Sequence, residues 1–162
     1  MIQILTTGGT IEGLDYDQKQ NTRKVSLRNF LKAANVSFPY SIEEVFRKDS
    51  RSITGKERDY LVERILASKA SKILLSHGTF TMEETAKHIA ERKIDKTIVL
   101  TGSFILGSSQ TTDAPFNLGY ALCALQFLQP DVYVAMNGRI FHWSNVTKNL
   151  KNNKFEPKDD LL

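Results

Sequence analysis

Apolar residues in this chain come in short runs, and each run ends in small hydroxylated residues or glycine. Residues 2–5 form the first and lead into Thr6, Thr7, Gly8, Gly9 and Thr10. Residues 42–46, 73–75, 98–100 and 132–136 repeat the pattern. Runs this short, bounded by turn residues, predict buried strands. Longer stretches between them have helical spacing. Ser26 caps a helix with Leu27, Phe30, Leu31 and Ala34 on one face, ending at Asn35. Thr54 and Glu57 have capping-box spacing ahead of Leu61, Val62, Ile65 and Leu66, predicting a helix to about Lys69. Thr81 and Glu84 repeat that spacing, with a helix to about Arg92. Thr112 or Asp113 caps a further helix, with Pro115 in its first turn and Leu118, Leu122, Leu125 and Phe127 buried, and Gln129-Pro130 stops it. Residues 140–143 predict a small hairpin.

Strand and helix alternate throughout, so the fold class is α/β: an open, mostly parallel sheet of about five strands with helices on both faces. Such sheets place ligands at the carboxyl ends of their strands. Five strand ends on one edge would gather Thr10, Ser50, Thr79, Ser103 and Asn137 into one crevice. Alone, the Thr-Gly-Gly-Thr turn reads equally well as a tight turn leaving the first strand. The polar stretch 14–24, which contains Tyr16, reads as a loop able to close over the site or as a solvated connector.

Composition narrows the function classes. At 162 residues, one domain is expected: residues 1–150 as the α/β domain and 151–162 as a polar tail lying at the surface. The net charge of +4 arises from interspersed basic and acidic residues and leaves no footprint for nucleic acid. Cys123, the single cysteine, excludes an internal disulfide and reads as a small core residue. No window approaches the roughly 20 apolar residues of a membrane span, so no membrane partner and a cytoplasmic location are expected.

Candidate chemistry is limited. No histidine pairs with a nucleophile. His77 reads as a maker of structural hydrogen bonds, and His88 and His142 as surface or structural groups. Ligand clusters for a metal are missing, as is a phosphate-binding loop of the Gly-Lys-Ser/Thr kind, so neither metal nor cofactor is expected. What remains is a threonine nucleophile activated by a neutral lysine, with glycine-turn N–H groups to stabilise an oxyanion.

The whole chain resembles the N-terminal domain of the L-asparaginase family of amidohydrolases. Thr7-Gly8-Gly9-Thr10-Ile11 is similar to the family's first signature, and the segment from His77 through Gly78, Thr79, Phe80 and Thr81 to Thr85 is similar to its second. Asp49-Ser50 and Val146-Thr147-Lys148 match further segments in family order. The resemblance implies a flavodoxin/Rossmann-like sheet, Thr10 as nucleophile, Thr79 as second catalytic threonine, Lys148 as base and Tyr16 as catalytic tyrosine. It also implies that Gly9, Asp49, Ser50, Gly78 and Phe80 contact a small amide or amino-acid-like substrate. Two departures stand out. Phe80 occupies the position where the family has an aspartate that pairs with the lysine and receives the substrate's α-ammonium group. The chain also stops near Leu162, so a short form lacking the family's second domain is expected. Weak or absent turnover of L-asparagine follows, with a catalytically degenerate or altered-specificity binding domain as the alternative. Phe141-His142-Trp143 reads as an exposed apolar patch that a homodimer or higher homo-oligomer would cover.

Overall fold

The computed structural model describes residues 1–15 and 24–158. Its central sheet has six strands in the order β2-β1-β3-β4-β5-β6. They are β1 (Ile2–Gly8), β2 (Tyr40–Lys48), β3 (Lys72–Ser76), β4 (Thr97–Thr101), β5 (Asp131–Met136) and β6 (Arg139–His142). The first five are parallel, and β6 returns antiparallel beside β5 as the hairpin expected at this point. The sheet thus has one strand more than the apolar runs suggest. Arg139 and Ile140 are exposed and only Phe141 faces inward, so β6 carries no apolar run of its own.

Alternation along the central strands builds two cores. Leu5, Ile73, Leu75, Ile98, Leu100, Val132 and Val134 point to one face, against α2 (Gly55–Ala67) and α3 (Met82–Ala90). Ile4, Leu74, Val99 and Ala135 point to the other, against α1 (Leu27–Ala33) and α4 (Ala114–Phe127). A strand covered on both faces reads as a continuous apolar run, and this is why the strands were legible.

Capping follows the sequence in α1 and α2, departs from it in α3, and in α4 falls to Thr112 of the two candidates. Ser26 accepts from Arg28 N, and Thr54 and Glu57 form the reciprocal box. Thr81 does not cap α3 with its side chain. Its hydroxyl donates instead to Ser50 O at 2.8 Å, tying the turn after β3 to the turn after β2. At α4 the Asp113 carboxylate accepts from Phe104 N and Ile105 N, while Thr112 Oγ1 accepts from Ala114 N.

Helix phase corrects three burial expectations, and strand packing a fourth. Leu66 lies one position beyond the buried Leu61, Val62 and Ile65 and is exposed. On α4 the buried positions 114, 117, 118, 121, 122 and 125 define one face, which leaves Cys123 and Phe127 on the opposite one, exposed. Phe141 is buried in the core, Trp143 packs partly against it, and His142 bonds Asp131 and Ser144. The segment 141–143 is therefore no exposed apolar patch, and the reason it offered for homo-oligomerisation falls away.

The polar segment after Asn149 is more ordered than its composition suggests. A two-stranded hairpin, β7 (Thr147–Asn149) and β8 (Lys154–Glu156), packs on the main sheet through Phe155, which is 2% exposed. Phe155 N donates to Asn137 Oδ1 at 3.0 Å. One buried aromatic fixes a strand whose other residues are polar, and β7 carries Lys148. No helix among the described residues is long and apolar enough to cross a membrane.

Two stability predictions follow from these placements. Phe155→Ala removes a buried ring and is expected to cost about 3–5 kcal/mol in denaturant unfolding, whereas Phe127→Ala stays within about 0.5 kcal/mol. Equal effects would contradict the burial assignment. The second concerns pH. Burial pushes the His77 imidazole down to about 4, against some opposition from its bond to Gly78. Its folded pKa lies below the unfolded value of 6.5, so its contribution is complete above pH 6.5 and is lost as pH falls toward 4. The loss is on the order of 3 kcal/mol. Glu12, whose carboxyl is raised by burial, acts with the opposite sign in acid. Stability of the protein and of His77→Gln between pH 4.5 and 7.5 separates the two, the variant showing the flatter profile. An imidazole NMR titration of His77 near 6.5 would refute it even if the variant does not fold.

Candidate active site

The order β2-β1-β3 reverses the direction of chain progress between β1 and β3, and at such a switch point the turns leaving the two strands diverge and open a crevice. Thr10 leaves β1 and Thr79 leaves β3, one on each side of the reversal. The two turns touch through glycine. Gly9 has φ 84°, and a Cβ there would lie 2.7 Å from Gly78 N. A Cβ at Gly78 would lie 2.8 Å from both Cβ and Oγ of Ser50. Turns after β1, β3 and β2 are therefore stacked at van der Waals limit, and any side chain at these glycines forces them apart.

Buried polar groups hold each turn. Thr7 Oγ1 donates to Ser76 O at 2.9 Å, joining the ends of β1 and β3. The Glu12 carboxylate accepts from Gly8 N at 2.5 Å and from Ser76 Oγ at 3.3 Å. Thr10 sits at the start of a one-turn 3-10 helix (Thr10–Glu12), and its carbonyl accepts from Gly13 N and Gly107 N at 3.0 Å each. On the other side His77 Nδ1 donates to Gly78 O at 2.7 Å, which fixes the tautomer. Its Nε2 then accepts from Thr85 Oγ1 at 2.9 Å, and Thr85 accepts from Arg58 Nε. The neutral imidazole braces the second turn and takes the structural role its sequence position suggests.

Between the turns lies an open cleft of about 320 Å³ lined by Thr10, Arg51, Thr79, Phe80, Ser103, Phe104, Lys148 and Asn153. Lys148 reaches in from β7, and its Nζ donates to Thr79 Oγ1 at 2.9 Å. The same Nζ lies 4.1 Å from the Phe80 ring centroid and 5.3 Å from that of Phe104. Arg51 stacks on Phe80 as well, its guanidinium carbon 4.6 Å from the centroid. Both cations thus lie against the Phe80 ring. Burial lowers the Lys148 pKa, the Arg51 charge lowers it further, and Glu83 acts in the opposite direction. Rings facing an ammonium favour its charged form, yet they supply no net negative charge. Lys148 therefore has reason to lose its proton more readily than an exposed lysine does.

Several residues expected at the site stand behind it. Ser50 is fully buried against Gly78, and its Oγ has no hydrogen-bond partner among the described residues. The Asp49 carboxylate accepts from Arg51 N, Nε and Nη2. Burial opposes its ionisation, but those bonds hold it below the usual carboxylate range. Gly9 and Gly78 set the backbone without lining the cleft. Asn137 is not brought to the crevice, because its side chain is used on Phe155. Tyr16 lies outside the described residues.

Three lining residues carry no motif signal. Arg51 could have been suspected as the next residue in the polar turn holding Asp49-Ser50. Phe104 follows Ser103 directly at the end of β4. Asn153 reaches the cleft only because Phe155 folds the tail back. A larger hollow, about 600 Å³, lies at the other end of the sheet near Ile94, Pro130, Val132 and Trp143. Its lining holds no hydroxyl or thiol side chain. Among the described residues no group of three or more His, Cys, Asp or Glu could hold a metal ion.

Comparison with known proteins agrees with this geometry. The family model for the asparaginase N-terminal domain matches residues 1–156. The glutaminase-asparaginase of Acinetobacter glutaminasificans is 32% identical over 169 residues, covering 92% of this chain and 50% of that protein. L-asparaginase 2 of Escherichia coli is 32% identical over 163 residues, covering 91% and 46%. The crystal structure of a probable cytoplasmic L-asparaginase from Campylobacter jejuni superposes with a TM-score of 0.83 at 28% identity, covering 98% of this chain and 53% of that one. The chain spans about half the length of the curated relatives it matches. With its sheet order, paired signature turns and inward lysine accounted for, the chain belongs to the asparaginase family, matching that family's N-terminal domain.

Proposed function

We propose that this protein is an amidohydrolase that cleaves a small amide through a threonyl ester on Thr10. One observation supports this reading above the others: the bond from Lys148 Nζ to Thr79 Oγ1 inside the cleft that Thr10 also lines. A lysine held by a threonine, partly desolvated and beside a second cation, is suited to give up and take back a proton more readily than an exposed lysine.

The steps follow from that arrangement. Thr10 Oγ attacks the amide carbon while its proton passes toward Lys148, with Thr79 between or beside them. Backbone N–H groups of the signature turns offer the developing oxyanion its donors. The C–N bond breaks, the nitrogen leaves as ammonia with the proton returned by Lys148, and an ester remains on Thr10. Water, deprotonated by the same pair, attacks the ester, releasing a carboxylic acid and restoring the Thr10 hydroxyl. Asp49 and Ser50 act from behind the cleft, Asp49 by holding Arg51 and Ser50 by packing the second turn. The catalytic role suggested for Tyr16 by resemblance belongs to this proposal too.

Phe80 sets the limit on L-asparagine. Its ring offers an α-ammonium group no carboxylate, and the ring face is already shared by Arg51 and Lys148. Weak turnover of L-asparagine is therefore expected. The same residue supports the second reading, a domain that holds a small ligand without hydrolysing it.

Ammonia release from a panel of small amides tests the reading. Thr10→Ala is expected to lower the rate on the order of 10³-fold or more, and Lys148→Met on the order of 10²–10⁴-fold. Activity that survives Thr10→Ala removes the nucleophile. The pH profile gives a separate check. Only neutral Lys148 accepts a proton, so the rate rises with pH and levels off at an inflection below the ordinary lysine value. Phe80→Asp places a carboxylate beside the ammonium, favours its charged form and moves that inflection upward. An unmoved inflection would show that Lys148 is not the titrating group.

A further inference from the structure

Arg58 does not line the cleft, yet all three of its guanidinium nitrogens are engaged around the turns that form it. It stands on α2 with its side chain 11% exposed. Its Nη1 donates to Ile53 O at 3.2 Å, just after the turn that leaves β2. Nη2 meets the exposed Glu84 carboxylate at 3.1 Å, and Nε donates to Thr85 Oγ1 at 3.0 Å. From there a chain of hydrogen bonds runs inward through Thr85 and His77, both fully buried, to Gly78 O.

Polarity along this chain is fixed from both ends. Gly78 O only accepts, so His77 Nδ1 carries the proton. Arg58 only donates, so the Thr85 oxygen accepts from it and the Thr85 proton is directed to His77 Nε2. Without Arg58 a second course is open to Thr85. A helical threonine can turn its hydroxyl back to the carbonyl four residues earlier, here Thr81 O, which already accepts from Thr85 N. The Thr85 oxygen would then accept from His77 Nε2–H, and the Nδ1 lone pair would face those of Gly78 O.

Such a reversal matters because residue 78 is glycine. Close packing against Ser50 and Gly9 permits no side chain there, and a glycine imposes little preference on its own peptide orientation. His77 supplies that preference. With Gly78 O drawn to His77 on the buried side, the planar trans peptide turns the Thr79 N–H the other way. Thr79 then stands with its hydroxyl 2.9 Å from Lys148 Nζ. Several elements face the imidazole. Arg58 on α2 acts on it through its charge, and Glu84 on α3 is paired with Arg58. From β4 the contact is a backbone one, His77 N donating to Thr101 O at 2.9 Å. Burial opposes a second proton on the ring, the bond to Gly78 favours one, and the Arg58 charge opposes it.

Resting on the amidohydrolase reading above, we propose that Arg58 is a positioning residue for the reaction: by engaging the Thr85 oxygen it directs the Thr85 proton onto His77, which holds the Gly78 peptide in the orientation that sets Thr79 against Lys148. Arg58 touches neither substrate nor reacting atoms and acts through Thr85, His77 and Gly78 in turn.

Nitrogen-15 NMR of the imidazoles, beside ammonia release from small amides, tests this on the full chain. In the unaltered protein at pH 7 His77 is expected as the Nδ1–H tautomer, and an Nε2–H tautomer there overturns the proposal even if no variant folds. Arg58→Met is expected to populate the Nε2–H tautomer and to raise the His77 titration from about 4 by roughly one pH unit or more. It should also lower kcat roughly tenfold with KM changed less than about threefold. Arg58→Lys keeps a cationic donor and should restore the Nδ1–H tautomer and most of kcat. Glu84→Gln loosens the outer ion pair alone and should leave tautomer and rate as they are. An Arg58→Met protein that keeps the Nδ1–H tautomer overturns the proposal, whether or not its rate falls, and so does a changed tautomer with kcat unaltered. Both of those results leave the amidohydrolase reading standing. If the unaltered protein hydrolyses no amide, that reading fails, and the tautomer in Arg58→Met still decides whether Arg58 sets the chain: Nε2–H supports it and Nδ1–H overturns it.

Discussion

Backbone contact between Gly9 and Gly78 is the constraint on which the site depends. It occurs where the sheet reverses its winding, the one place at which the turns of two neighbouring strands are free to leave in different directions. Because neither residue has a Cβ, the turns approach until main-chain atoms touch, and Thr10 and Thr79 are carried to opposite walls of a single cleft. A side chain at either position would force the two turns apart. The buried bonds of Thr7, Glu12 and His77 then hold the approach in place, each from beneath its own turn.

Lys148 enters from a different part of the chain and depends on different physics. Its strand has no apolar run and little contact with the main sheet of its own. Phe155, across the hairpin, anchors it in the core, so the proposed base is positioned by a hydrophobic side chain on the neighbouring strand. Around the ammonium, burial and Arg51 act in the same direction, toward the neutral amine, while Glu83 restrains them. Phe80 lets two cations lie against one ring where a charged residue would bind one of them tightly. The cleft thereby holds a lysine with a depressed proton affinity.

How much of this was legible in the sequence depended on whether a position answered to local or distant causes. Strands β1, β3, β4 and β5 declared themselves because both of their faces are covered, so nearly every residue is apolar. Ser26 and the Thr54–Glu57 box were equally visible, since a cap involves only its own turn. Thr81 looked the same as Thr54 and behaves differently, because Ser50 O, thirty-one positions away, offers its hydroxyl a partner. Cys123 and Phe127 were misjudged because a helix rich in apolar residues all round gives no clue to its phase. Of the site, the threonines and the lysine stood in recognisable motifs. Arg51, Phe104 and Asn153 did not, for each reaches the cleft only through tertiary packing, and Asn137 was lost to it for the same cause.

Everything chemical in this picture turns on Thr10 forming a bond to the acyl group. Rapid acid quench of the protein during turnover of a small amide, followed by proteolysis and mass spectrometry, observes that bond directly. An acyl adduct on the peptide carrying Thr10, accumulating in the first turnover and missing from Thr10→Ala, is the expected result. Turnover with an unmodified Thr10 peptide, or an adduct on another residue, would contradict it.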